Sequence, residues 1–199
     1  MPENLSIKQV EKIGNSVIYF STRVSELSKT KLLKLLFLLE EGSIKKYGKP
    51  FFNLDFKVWQ FGPVVKTIYH ELTGENVDIF KDYFTKNQFD EFEKLKDFSD
   101  DEFSDNDIAL LDELVNFSKH KIAKDFVDHT HALDSLWTKT AKKFGVYEDL
   151  ENRKIATTNY TIDFSMLFEG DVESNLLEKY NASIENKSFS KNFKEIKSV

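Results

Sequence analysis

SKTKLLKLLFLLEEGSIKKYGKP, residues 28–50, is the stretch on which the fold turns. Leu32, Leu33, Leu35, Leu36, Phe37, Leu38 and Leu39 leave few polar positions on a helix, and a helix apolar on most sides sits at the centre of its fold. Ser28 or Thr30 marks its start. Its end falls near Tyr47, because Gly48 suits a left-handed cap and Pro50 follows two residues later. Lys31 and Lys34 share one face of this helix. There they reach water along their stems, pair with acids, or offer a charge to an acidic partner. The apolar run from Leu32 to Leu39 is broken by Lys34 and is far short of a membrane span.

On the N-terminal side, Ile7, Val10, Gly14, Val17 and Ile18 fall on one face of a helix, with Ser6 and Gln9 spaced for a capping box. On the C-terminal side the period changes. Phe51, Phe52, Leu54, Phe56, Val58 and Phe61 are spaced for extended chain, predicting a short β-hairpin or a single strand. Gly62-Pro63 is expected to stop that strand, with Pro63 in the first turn of a helix carrying Val64, Val65, Ile68, Tyr69 and Leu72 inward as far as Gly74.

Farther on, Thr85 and Gln88 predict a capped helix holding Phe89, Phe92 and Leu95. The acidic run from Asp97 to Asp107 reads as a solvated loop whose last acids favour the next helix N-terminus, or else as a docking surface for a basic partner. Helices are expected near Asp105 to Phe117, around Phe126, from the Ser135 cap through Trp137 and Ala141, and over Val172 to Tyr180. Thr158 to Phe164 alternates as a strand would. From Ala182 to Val199 the few apolar side chains do not offset the entropy of ordering the backbone, so a loose tail is expected; Phe189, Phe193 and Ile196 share a face that would fold against a partner. The fold class is mainly α, a compact helical domain with a small β-hairpin or short strand element.

Nineteen Phe in a chain with 3 Pro and 7 Gly supply a large core without staples, and the absence of Cys removes disulfides, thiolate catalysis and Cys-ligated metal sites. The opening Met-Pro-Glu-Asn-Leu-Ser holds no basic segment followed by an apolar one, so the cytoplasm is the expected compartment. A formal charge of −6 weighs against direct nucleic-acid binding. No nucleophile elbow, phosphate loop, H-E-x-x-H or dinucleotide fingerprint occurs, so no enzyme, cofactor or metal is expected. His129 and His131, two apart, point to nearly opposite sides of a helix, which makes shared metal ligation difficult. His131 reads instead as a hydrogen-bonding residue beneath a turn, beside Thr130. Trp59 and Trp137 read as core, each indole N–H finding a backbone carbonyl, or else as exposed interface anchors; in the core reading Trp59→Ala is expected to lose about 3–5 kcal/mol of stability, whereas an unchanged melting temperature would mark a surface anchor.

Four stretches in order are more specific than any one of them: Lys31-Leu32-Leu33-Lys34-Leu35-Leu36-Phe37; Gly48-Lys49-Pro50-Phe51-Phe52 running through Val58-Trp59-Gln60-Phe61-Gly62-Pro63-Val64-Val65 to Tyr69; Thr130-His131; and Trp137 with Ala141. This series resembles the Panacea domain family, SocA-like antitoxins also described as phage-associated proteins. Its members show a K-L-x-K-L-L/Y helix, a G-x-P-L/F segment, W-x-x-G-P-V-V-x-x-x-Y, and later T-H followed by P-W-x-x-A. The resemblance covers residues 5–145, leaving 146–181 as an extension packed on that domain and 182–199 as a flexible tail. Leu136 departs from it, standing where members have Pro. The resemblance implies a helical domain that neutralises a cognate toxin by direct binding, and in one branch delivers it to a protease. It nominates Lys31, Lys34, Trp59, Gly62, Pro63, Tyr69, Thr130, His131 and Trp137 as structural or partner-binding positions. A DNA-binding autoregulator is the alternative, disfavoured by acidity and by the lack of a basic helix-turn-helix. Homo-oligomerisation stays open.

Overall fold

The computed structural model describes residues 5–74, 78–170 and 174–196, with the backbone alone at 174 and 187–196. In chain order the elements are α1 (Ile7–Ser21), α2 (Lys29–Tyr47), β1 (Lys57–Trp59), β2 (Gly62–Val64), α3 (Lys66–Thr73), β3 (Phe84–Lys86), β4 (Phe92–Lys94), α4 (Asp105–Ser118), α5 (Ala123–Thr130), α6 (Leu136–Lys143), α7 (Tyr147–Glu151), a 3-10 turn (Phe164–Phe168) and α8 (Ser174–Ile196). The architecture is mainly α with two small antiparallel hairpins, β1–β2 and β3–β4.

Helix α2 is the hub, touched by α1, α3, α4, α5, α8, β2 and the 3-10 turn. Its leucines from Leu32 to Leu39 are all buried, so every side of the helix removes apolar area from water. Ser28 caps its start through the Lys31 N–H. Gly48 closes it at φ 65°, donating its N–H to the Ile44 carbonyl. Buried Glu40 pins the following segment to this hub, its Oε2 accepting the Phe52 N–H at 2.6 Å and its Oε1 the Leu54 N–H at 3.4 Å. The Ser6–Gln9 capping box forms, and Gln9 also donates Nε2–H to the Phe52 carbonyl. Ile7, expected inside, lies in solvent at the first turn, where α1 has not yet reached the core.

Three local expectations give way to other structures. Residues 84–94 form a hairpin rather than a helix, because the Asn87 side-chain oxygen accepts the N–H of both Phe89 and Glu91, and Asp90 takes φ 60°. Phe84 and Phe92 then point inward against Phe80, while Phe89 and Leu95 are exposed. Gly62-Pro63 does not end a strand but begins one: Trp59 pairs with Gly62 and Val58 with Pro63 across a two-residue turn, and α3 starts only at Lys66. Residues 158–164 do not reach strand length. They run antiparallel to β1 by a bridge from Thr161 to Lys57, with Val58 N–H donating to the Tyr160 carbonyl and Ile162 N–H to that of Phe56, before Asp163 opens the 3-10 turn. Helix α8 is also longer than the 172–180 expected; no Gly or Pro interrupts residues 174–196. Val199, and the side chains of Phe189, Phe193 and Ile196, lie outside the described parts.

Candidate functional site

The β1–β2 hairpin is short, and a two-stranded ribbon of three residues a side does not hold itself in water. Side chains behind it hold it. Trp137, wholly buried on α6, donates its indole N–H to the Trp59 carbonyl at 2.8 Å. His131, which ends α5, places Nε2 2.9 Å from the Gln60 carbonyl and Nδ1 2.8 Å from the Val127 carbonyl. The rings of His131 and Trp137 lie 3.9 Å apart, so the two supports brace each other. From the front, Gln60 N–H donates to the Ala156 carbonyl. Trp59 donates its indole N–H to the Thr158 carbonyl at 3.2 Å, and Thr158 returns a hydroxyl to the Val58 carbonyl.

Local sequence explains how these supports arrive. Thr130 folds its hydroxyl back on the Phe126 and Val127 carbonyls at the end of α5. Its own carbonyl accepts the hydroxyl of Ser135, which caps α6 through the Thr138 N–H, and Thr138 donates to the His131 carbonyl. The α5–α6 corner is thereby closed by hydroxyls and aims His131 and Trp137 the same way. Leu136 occupies the first position of α6, where a backbone N–H has no helical acceptor. A Pro at that position, as family members carry, would forfeit no helical hydrogen bond.

Beneath the hairpin lies Lys34, 2% exposed, with Nζ 3.5 Å from the Pro63 carbonyl. No carboxylate approaches it among the described residues, and burial lowers its ammonium to about 7. Gly62 at φ 99° is the residue that lets the chain pass: a Cβ there would sit 2.5 Å from Lys34 Nζ and 2.9 Å from Thr130 Oγ1. Tyr69, from α3, packs edge-on against Trp59 with ring centroids 4.9 Å apart.

Eight of the nine nominated positions therefore converge: Lys34, Trp59, Gly62, Pro63, Tyr69, Thr130, His131 and Trp137. Lys31 does not. It is buried apart from them, donating Nζ–H to the Ser25 carbonyl at 2.7 Å in the α1–α2 connection. Each lysine is only 2% exposed, and neither pairs with an acid among the described residues. His129 turns away from His131 to lie against Phe117, so the two imidazoles do not share a site. Trp59 is half-buried rather than core.

What the supports present is Phe61, 64% exposed at the turn, beside an open cleft of about 490 Å³. Lys29, Leu33, Lys34, Trp59, Tyr69 and Val127 are among its walls. The sequence pattern placed Phe61 in extended chain, on a short hairpin or a single strand, without locating it at the turn. The signal that locates it at a turn is Gly62, one residue later, paired back to Trp59. Among the described residues no three acidic or imidazole side chains gather as metal ligands, and no helix is long and apolar enough to cross a membrane.

A family model described as antitoxin SocA-like, Panacea domain matches residues 32–138, which takes in every nominated position but Lys31. No curated protein and no solved structure matches the chain.

Proposed function

From the premise that this chain belongs to the SocA-like antitoxin family with its Panacea domain, we propose that it is a cytoplasmic, non-enzymatic antitoxin that neutralises a cognate toxin by direct binding. One observation carries the reading. The motif side chains are engaged in hydrogen bonds to backbone carbonyls that brace a hairpin, and the hairpin holds Phe61 out in water beside an apolar cleft. A large aromatic side chain on a rigid turn loses little conformational freedom when it is covered, which suits a contact residue. Thr130 Oγ1 lies 3.5 Å from His131 Nδ1, but the hydroxyl donates to the Phe126 and Val127 carbonyls and both imidazole nitrogens face carbonyls, which favours a bracing role for the pair over a catalytic one.

The test is genetic and then physical. The adjacent open reading frame is expressed alone and together with this chain. Arrest of growth by the neighbour, relief by this chain, and co-purification of the two proteins are the expected results. A neighbour tolerated without this chain, or one relieved without forming a complex, overturns the reading.

A further inference from the structure

The cleft beside Phe61 has a chemical character beyond being apolar. Lys34, Lys29 and Lys124 line it, and among the described residues no Asp or Glu does, although the chain as a whole has a net charge of −6. Lys124 is already paired with Asp128 on its own helix. Lys29 donates to the Thr73 hydroxyl at 3.3 Å and lies 5.1 Å from the Tyr69 ring centre, with no carboxylate partner among the described residues. Among the described residues Lys34 has one hydrogen-bond acceptor, the Pro63 carbonyl at 3.5 Å. Leu33, Trp59, Val64, Tyr69 and Val127 line the same cleft and make much of its surface apolar.

We propose that this cleft is the anchor site for the partner protein, and that it takes a carboxylate borne beside an aromatic or aliphatic side chain, with the acid on Lys34 and Lys29 and the apolar group against Trp59 and Tyr69. This rests on the antitoxin reading for the identity of the partner and deepens it by naming the chemistry at the contact. A buried ammonium whose one contact is a carbonyl 3.5 Å away is poorly solvated, and an incoming carboxylate supplies the charge-assisted bonds it lacks. Burial already drives the free amine toward neutrality, so seating the carboxylate above neutral pH draws a proton from solvent onto Lys34. Phe61 at the lip covers the occupied cleft and excludes water from the pair.

The probe is 3-phenylpropanoate, titrated into the full chain at pH 8 and followed by amide and indole NMR shifts, with 3-phenylpropanamide as the uncharged control. Saturable shifts at Trp59, Tyr69 and Val127, at least tenfold weaker affinity for the amide, and loss of binding in Lys34→Met support the site. Equal affinity for acid and amide, unchanged binding in Lys34→Met, or shifts confined to another face overturn it. Calorimetry in two buffers of different ionisation enthalpy adds an independent readout: close to one proton is taken up per probe bound by the wild type and none by Lys34→Met. Capture of the neighbouring gene product then separates this proposal from the reading beneath it. If the wild type, Lys34→Met and Phe61→Ser all capture it equally, the anchor is elsewhere and the antitoxin reading stands. If the wild type captures nothing, the antitoxin reading fails while the probe titration still decides whether the cleft takes a carboxylate.

Discussion

Replacing Lys34 with Met keeps the length of the side chain and removes the ammonium, and the effect on stability is expected to depend on pH in a specific way. In the unfolded chain the amine titrates near 10.5, and in the fold burial lowers it to about 7. Between those two values the unfolded state binds the extra proton, so stability rises with pH across that window; below it both states are charged and the folded protein carries the whole penalty. The full difference corresponds to about 5 kcal/mol, of which roughly 4 is present at pH 7 and roughly 2 remains at pH 9. The hydrogen bond forfeited to the Pro63 carbonyl is long and contributes a few tenths to about 1 kcal/mol. Lys34→Met is therefore expected to be more stable than the wild type at pH 7 by about 3 kcal/mol, an upper figure because local relaxation reduces the penalty, and the gap should shrink by about 2 kcal/mol at pH 9. Urea denaturation of both proteins at pH 7, 8 and 9 measures it. Parallel stability–pH curves would refute the reasoning, since they require Lys34 to be as well solvated in the fold as outside it.

Other substitutions follow from the same geometry. Glu41 on α2 is pushed up to about 7 by burial, with Lys45 opposing and Asp134 adding to the rise. A carboxyl raised in the fold loses stability as pH climbs from its unfolded value of 4.5 through 7, so Glu41→Gln should match the wild type at pH 4 and exceed it by about 1–3 kcal/mol at pH 7.5 in the same denaturation assay. Gly62→Ala forces a side chain into φ 99° and into Lys34 and Thr130, and a loss of about 2–4 kcal/mol is expected by thermal unfolding; a neutral result would mean that the hairpin turn is not held as described. Trp59→Ala removes a half-buried ring and its bond to Thr158, so about 2–3 kcal/mol is expected instead of the 3–5 of a fully enclosed tryptophan, and a calorimetric melt distinguishes the two.

Much of the helical frame was legible in the chain because its signals are local. Ser6 with Gln9, Ser28, Gly48 and Ser135 each complete a hydrogen bond within a few residues of themselves, and each marks an observed helix end. The leucines of residues 32–39 announced a central helix for the same reason: burial on every side is written into one turn after another. Where a local signal competed with another, the reading failed. Phe89, Phe92 and Leu95 have helical spacing, yet the Asn87 side chain captures two backbone N–H groups and closes a hairpin before a helix can nucleate. The alternation at 158–164 was sound, but its partner is β1, a hundred residues upstream, and pairing there ends at the 3-10 turn.

The family motif identified which residues matter without revealing what they do. From sequence alone, Lys31 and Lys34 are equivalent positions on one helix face, three residues apart. Only the folded chain separates them, because Ser25 returns from α1 to meet the first while Gly62 and Pro63 arrive from the hairpin over the second. His131 and Trp137 likewise acquire their role from carbonyls more than seventy residues away. Propensity, capping and periodicity act over a turn of helix and are encoded where they operate. The environment of a buried ammonium or an exposed phenylalanine is set by which distant segments pack beside it, and that is decided only when the whole core closes.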